Sequence, residues 1–382
     1  MARAPIYTDT IVAPEEDKRP RTRCGYLVPE AFHTYTLALG EAGSAASGKA
    51  LHFAADLVCS GGIDIWIRAA YTYSLQHIGL ANPRIFVYLK SRISDLDKKI
   101  AVLPQDSLYI NPDVQNIISE TVLVIQLCPK RAKVQWPKVD PNTKRPGWLR
   151  GVASAPETRV TKAVWSSEGD STPMYLVANE LCQAIQQGST ERSLFWVRWL
   201  MEEDTRVRKE TKGNGLSTKE RGPAFAPPKA RCEVGHFVAA VLLELYKELA
   251  SKNLIRMHEE FSELYNLWRG GEKRMATSLR REALGLLVLI CCEVPRWKVP
   301  AAATLVQDPV RLSRAVAQAP AFFNEVLAYK GLPEEKQIKP PMTRTKSEKK
   351  IKVPGEKEKK ASEIEEHLQA YDAAMEAYLN KN

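Results

Sequence analysis

The sequence contains no apolar run long enough to cross a membrane. A spanning helix needs about 18–20 consecutive apolar residues, and no stretch of the 382 residues approaches that length. The first residues, Met1-Ala-Arg-Ala-Pro5, are polar and lack the apolar segment of a secretory signal. We therefore expect a soluble protein that has no membrane partner, is not secreted and stays in the cytoplasm or nucleus.

The cysteine and histidine spacings of zinc sites are also missing. The seven cysteines are scattered and odd in number, none forms a C-x-x-C pair, and none of the six histidines lies at zinc-ligand spacing from a cysteine. The adjacent Cys291 and Cys292 lie in an apolar run, where cysteine packs as a small hydrophobic residue. This pattern predicts a reducing compartment and no metal site.

The sequence has no complete catalytic motif, and neither G-x-S-x-G nor H-E-x-x-H occurs. The nearest match is Gly43-Ser-Ala-Ala-Ser-Gly48-Lys49, which fits the phosphate-binding pattern G-x-x-x-x-G-K and follows a possible strand at 35–39. Ala50 stands where that motif needs Ser or Thr to hold magnesium. We expect a flexible lead-in to a helix here, no catalytic residue and no cofactor; a nucleotide-binding enzyme using residues 43–49 is the alternative.

Apolar residues recur at helical spacing along most of the chain. The clearest case is 234–249, where they are spaced three and four apart, and residues 279–290 are apolar on all sides, as in a central helix. A run after Asn111-Pro112 is rich in β-branched residues and fits a helix or a buried strand; we favour the helix. The pattern predicts a mostly α fold, an irregular helical bundle of one or two units with long basic loops.

Composition changes along the chain divide it into six parts. We expect an extended N-terminal arm (1–25), an N-terminal helical unit (26–127), an irregular basic connection containing tryptophans (128–171), a C-terminal helical bundle (172–330), a disordered Lys- and Pro-rich linker (331–361) and an amphipathic helix (362–382).

Positive charge is concentrated in two segments of a chain whose net charge is +10. Residues 129–162 hold nine Lys and Arg against two acids, and residues 205–231 hold eight against two. We interpret the second segment as a flexible exposed loop because it is rich in Gly and Pro. Such blocks attract phosphate backbones or acidic protein surfaces, although a solvated loop has the same composition.

Trp136 and Trp148 are interleaved with cations in the first basic segment, the composition of a single-strand-binding loop in which bases stack on rings. The alternative is that these rings hold a long loop against the core. The candidate nucleic-acid-binding residues are Lys130, Arg131, Lys133, Trp136, Lys138, Lys144, Arg145, Trp148, Arg150, Arg206, Arg208, Lys209 and Lys212.

The C-terminal segment has the signature of a helix that docks on a partner. Ser362-Glu-Ile-Glu365 fits a capping box, and four large apolar residues follow on one face: Leu368, Tyr371, Met375 and Leu379. We predict that this face binds a protein partner or packs back on its own domain.

Parts of the helical pattern resemble a group of proteins of unassigned function from large nucleocytoplasmic DNA viruses. The likeness rests on 57–61 (Leu-Val-Cys-Ser-Gly), 77–84 (His-Ile-Gly-Leu-Ala-Asn-Pro-Arg), the pair Asn179-Glu180 and 195–199 (Phe-Trp-Val-Arg-Trp). A fainter likeness, in the turn at Ser60-Gly61, is to the small non-ATPase subunit of phage clamp loaders. The resemblance implies a viral protein of the infected cell or the particle, acting in a viral factory of the host cytoplasm or nucleus.

Together these features predict a non-catalytic helical accessory or scaffolding protein. We expect it to bind nucleic acid or protein partners in replication, transcription or assembly of a large DNA virus. A structural virion component that does not bind nucleic acid is a further alternative.

Overall fold

The computed structural model describes residues 20–144, 147–213, 215–255, 258–270, 279–293, 305–306 and 308–329. Within these ranges the chain is helical, and its extended pairing is limited to one bridge between Arg21 and Leu27. The predicted mostly α fold is confirmed. The predicted linker 331–361, the helix 362–382 with Leu368, Tyr371, Met375 and Leu379, and most of the arm lie outside the described residues.

None of the helices in the described part is long and apolar enough to cross a membrane.

The first half of the chain contains α1 (Val28–Gly40), α2 (Ser44–Cys59), α3 (Ile63–Tyr73), α4 (Arg84–Val102), α5 (Gln105–Leu108) and α6 (Pro112–Leu127). A π-helical turn, Ser74–Ile78, continues α3. The run that fitted either a helix or a strand is α6, and Asn111 begins it by accepting hydrogen bonds from the N–H groups of Asp113 and Val114.

The possible strand at 35–39 is a wrong prediction, because these residues form the second half of α1. The buried side chains of this helix are spaced three, four, three and one apart, so they share a single face: Val28, Ala31, Tyr35, Ala38 and Leu39. The short window 35–39 contains too little of this period to separate helix from strand.

The flexible lead-in predicted at 43–49 is also wrong, because α2 begins at Ser44. The N–H of Ser47 donates to the carbonyl of Gly43 at 3.2 Å, so the N–H groups from this point onward are used within the helix. A Cβ on Gly48 would lie 3.4 Å from the ring of Phe322, and the Lys49 ammonium is 3.3 Å from Glu41. The nucleotide-binding alternative therefore lacks the open loop that it requires.

The second half contains α7 (Trp148–Val152), α8 (Arg159–Val164), α9 (Thr172–Gln186), α10 (Thr190–Glu210), α11 (Pro228–Arg231), α12 (Val234–Ser251), α13 (His258–Trp268), α14 (Arg280–Cys292) and α15 (Pro309–Ala328). Apart from α7, α8 and a 3-10 turn at Pro141–Lys144, the described residues of the connection 128–171 have no helical structure. Helix α10 continues past its acidic residues 202–204, which places Arg206, Arg208 and Lys209 on a helix and not in a loop.

Helices from the two ends of the chain pack on each other. Helix α15 lies against α2 and α6, α13 lies against α4, and α14 contacts the π-helical turn. One cluster of buried apolar side chains extends from Ala31 to Val326. Cys291 and Cys292 are buried within it, as their apolar surroundings predicted. Helix α10 packs on α9, α12 and α14, and this core holds it in place.

Candidate nucleic-acid interface

Helix α10 brings the two basic segments together. The indole Nε1 of Trp199 donates to the carbonyl of Thr143 at 3.4 Å, and the Arg198 guanidinium donates to the carbonyl of Trp136 at 3.3 Å. Both acceptors belong to the first basic segment. The second basic segment starts on the last turns of α10 itself. Two segments that are distant in sequence therefore lie along one helix.

A buried carboxylate on α9 holds the first basic segment in place. Glu180 is fully buried, and it accepts hydrogen bonds from the N–H groups of Ser154 and Ala155, both at 2.7 Å, and from the Arg192 guanidinium at 2.7 Å. The neighbouring Asn179 accepts from the N–H of Thr158 at 3.0 Å. The pair Asn179-Glu180 therefore binds the backbone of the irregular connection.

A second buried carboxylate, Asp170, ties the end of the connection 128–171 to the second basic segment. Asp170 accepts from the N–H groups of Ser166 at 2.9 Å and Lys219 at 2.8 Å, and its two oxygens also bind the guanidinium of Arg221. Burial alone would raise the pKa of Asp170, but Arg221 and these N–H groups bring it below its usual value. The guanidinium carbon of Arg221 also lies 5.1 Å from the centre of the Phe237 ring.

The predicted flexibility of the second segment is contradicted between 216 and 221. The N–H of Leu216 donates to Asp204 at 2.8 Å, and the carbonyl of Ser217 accepts from the N–H of Ser171 at 2.9 Å. Together with the contacts of Asp170, these hydrogen bonds hold residues 216–221 beside residues 169–171. The reason is physical: buried carboxylates bind backbone N–H groups of residues 216–221.

The two candidate tryptophans are used in packing. The ring centre of Trp148 lies 5.9 Å from that of Trp199 with the planes 28° apart, and it also contacts Trp196. The Trp136 ring is covered by the Arg281 guanidinium at 4.7 Å. These contacts agree with the alternative that the rings hold the segment against the core. Both rings are half-buried and engaged in contacts within the protein.

The two candidate cations at the start of the first segment have partners within the protein. The Lys130 ammonium donates to the carbonyls of Ile125, Gln126 and Cys128 at 2.6–2.9 Å and so caps the end of α6. Burial lowers its pKa to about 8. Arg131 binds Glu293 through both of its terminal nitrogens, at 3.0 and 2.6 Å. The structure therefore does not make these two residues available to phosphate.

Two further candidates are paired with carboxylates on α10. Arg206 binds Glu203 and Glu210, and Arg208 binds Asp204 at 2.8 Å, all at helical spacings of three or four. These pairs exist because α10 continues to Glu210. The sequence interpretation placed all of 205–231 in a flexible loop, so it treated the same arginines as free loop charges.

The remaining candidates in the described part have no carboxylate within 4 Å. Lys138, Arg150, Lys209 and Lys212 are exposed, and Lys133 is half-buried. Three cations of the same two segments, which were not candidates, share this property: Arg159, Lys219 and Lys229. The count of positive charges in the two segments includes these three residues, so the sequence could have offered them as candidates. Arg145 lies outside the described residues, and only the backbone of Lys144 is described, in the 3-10 turn.

Five of these cations belong to α10 or to chain that lies near it, and among them Lys138 follows by two residues Trp136, whose carbonyl accepts from Arg198 of α10. Arg150 and Arg206 line one groove of about 270 Å³ together with Trp199, and Lys209 follows Arg206 by three residues on the same helix. The Lys229 ammonium lies 3.8 Å from the position that a Cβ would take on Gly213, beside Lys212. We name Lys138, Arg150, Lys209, Lys212 and Lys229 the α10 basic surface.

The described residues contain no group of three or more side chains that could hold a metal ion. Comparison of the chain with protein-family models, with curated proteins and with solved structures gave no match. The feature of the chain that bears on its function is therefore the chemistry of the α10 basic surface.

Proposed function

We propose that this protein is a non-catalytic helical accessory protein that binds nucleic acid through the α10 basic surface. The observation that carries the proposal is the distribution of charge pairing. Exposed cations without a carboxylate partner gather from two distant segments around one helix, whereas the lysines and arginines of α4 are paired. In line with the viral resemblance, the setting we propose is replication, transcription or assembly of a large DNA virus.

The chemistry of the surface favours contact with the phosphate backbone over contact with bases. Lysine is a strongly hydrated point charge that suits phosphate, and the rings of Trp136 and Trp148 are engaged in packing within the protein. Backbone contacts position a nucleic acid without reading its sequence. We therefore expect both duplexes and single strands to bind, with little sequence preference and with affinity that falls steeply as salt rises.

The test compares unpaired with paired lysines. In the first variant Lys209→Gln, Lys212→Gln and Lys229→Gln are combined. The matched control combines Lys98→Gln, Lys247→Gln and Lys252→Gln, which removes the same charge from lysines that pair with Asp95, Glu244 and Glu248. Fluorescence anisotropy with a labelled duplex and its single strand measures the affinity of each variant of the 382-residue chain.

At about 50 mM salt we expect roughly tenfold weaker binding for the first variant and a change of less than about twofold for the control. Equal losses in both variants would show that only net charge matters and would contradict the proposal. Absence of binding by the unmodified protein at low salt would also contradict it, and would leave an acidic protein surface as the class of partner.

A further inference from the structure

The C-terminal end of the chain has the opposite charge to the rest of it. Residues 362–380 contain five carboxylates and no Lys or Arg: Glu363, Glu365, Glu366, Asp372 and Glu376. The preceding stretch, 334–360, contains ten Lys and Arg against five Glu. Within a sequence whose net charge is +10, residues 362–380 thus form a segment of strongly negative charge.

We propose that the acidic segment 362–380 docks on the α10 basic surface of its own chain and competes there with nucleic acid. The inference rests on the proposed function for the identity of the competing ligand. The docking itself rests on charge complementarity between this segment and the surface.

The α10 basic surface is a group of exposed cations at which such a segment gains new ion pairs. Cations elsewhere, such as Lys90 and Lys99 on α4, already have Glu263 and Asp113 beside them. The α10 basic surface has no carboxylate within 4 Å of its five cations in the described ranges. Carboxylates from 362–380 would therefore be attracted to this surface, where five such cations are grouped.

The length of the intervening chain allows the contact. The described chain ends at Tyr329, and 32 residues separate it from Ser362. A chain of that length can span at most roughly 100 Å at about 3.3–3.6 Å per residue, whereas a folded domain of this size has a radius of gyration of only about 20 Å. Every part of the surface is therefore within reach.

Docking within one chain makes even weak pairing effective. A tethered segment acts at an effective concentration in the millimolar range, so it competes with a free ligand without needing high intrinsic affinity. The apparent association constant for nucleic acid is then the intrinsic one multiplied by the fraction of molecules whose surface is open. Removing the negative charge from the segment should restore the affinity of the open surface.

Two variants of the 382-residue chain with the same net charge test the competition. The first neutralises the segment with Glu363→Gln, Glu365→Gln, Glu366→Gln, Asp372→Asn and Glu376→Gln. The control neutralises the linker with Glu334→Gln, Glu335→Gln, Glu348→Gln, Glu356→Gln and Glu358→Gln. Each variant removes five carboxylates, so each changes the formal charge from +10 to +15.

We expect the first variant to bind a DNA duplex roughly fivefold to tenfold more tightly than the unmodified protein. The control should gain less than about twofold, because it changes long-range attraction only. Equal gains in the two variants would overturn the proposal, since they would reflect net charge and not docking.

Zero-length carbodiimide cross-linking of the unmodified protein, without nucleic acid, tests the docking separately. We expect links between carboxylates of 362–380 and Lys209, Lys212 or Lys229 within single chains, and we expect them to disappear at high salt. Links spread over all lysines, links found only between two chains, or no links would each contradict docking. Specific links in a protein that binds no nucleic acid would leave docking intact while the proposed function fails.

Discussion

Helix α4 and the α10 basic surface each carry five lysines and arginines, but the two groups differ in their partners. Every cation of α4 lies within 4 Å of a carboxylate, in the pairs Arg84–Glu260, Lys90–Glu263, Arg92–Asp95, Lys98–Asp95 and Lys99–Asp113. The cations of the α10 basic surface have no such neighbour in the described part of the chain. Charge count locates positive residues, and pairing decides which of them are available to a partner.

The difference has a cause in local structure. On α4 the acids stand at helical spacing or on the helices packed against it, so their side chains are free to meet cations. Around α10 the buried carboxylates Asp170, Glu180 and Asp204 accept hydrogen bonds from backbone N–H groups of the two basic segments. The acids that could have neutralised the surface are used to fix its shape.

The largest effect that follows from this contrast is on stability. Asp170→Ala leaves the Arg221 guanidinium and two N–H groups without their acceptor in a buried place, which should lower the free energy of unfolding by about 3–4 kcal/mol. Urea unfolding measures the loss. Asp95→Ala on α4, where the pairs are exposed, serves as the control and should cost far less. Similar losses at the two positions would mean that Asp170 does not anchor the segments.

A second effect depends on pH and involves a buried group flanked by cations. Burial, with Arg280 and Arg269 nearby, lowers the pKa of His236 to about 4. The unfolded chain takes up this proton near the ordinary value of about 6.5, so acid favours unfolding. The free energy of unfolding should therefore fall by about 3 kcal/mol as the pH drops from about 6.5 to 4.

His236→Gln is the control for this pH effect. It should remove most of the decline in urea-unfolding free energies that are measured between these pH values. An equally steep decline in the variant would assign the pH dependence to other groups, such as the protonation of carboxylates.

The sequence predicts the periodic parts of the fold well and their ends poorly. The apolar spacing at 234–249 identifies α12, and the all-apolar run at 279–290 identifies α14. At the end of α10 the acidic residues 202–204 suggest a boundary, yet they continue the helix by pairing with arginines further on. A helix boundary of this kind depends on contacts that become visible only once the helix is known.

The sequence was sufficient to locate the two basic segments of the candidate surface. It was not sufficient to identify which of their cations are unpaired. Arg131 is paired with Glu293, which is 162 positions away, and Asp170 binds Arg221 across 51 positions. Such partners depend on tertiary packing, which local pattern does not contain. Sequence alone therefore placed Lys130, Arg131, Arg206 and Arg208 with the available cations, although each has a partner of its own.

A smaller effect separates paired from unpaired arginines within the first basic segment. Arg150→Gln should weaken binding to a DNA duplex roughly threefold at low salt, because an exposed phosphate contact is lost. Arg131→Gln makes the same chemical change where the guanidinium already binds Glu293, and it should leave the affinity unchanged. Anisotropy titrations of the two variants measure the difference, and the reverse order of effects would show that the described pairing does not control availability.

The most direct test of the central claim is the salt dependence of DNA binding, because its slope counts the phosphate contacts that release counterions. Each contact contributes about 0.9 to the slope of log affinity against log salt for duplex DNA. The combined Lys209→Gln, Lys212→Gln and Lys229→Gln variant should therefore lose roughly 2–3 from the slope, whereas the Lys98→Gln, Lys247→Gln and Lys252→Gln control should keep the slope of the unmodified protein. A slope that falls equally in both variants, or in neither, would contradict the claim that unpaired cations around α10 form the binding surface.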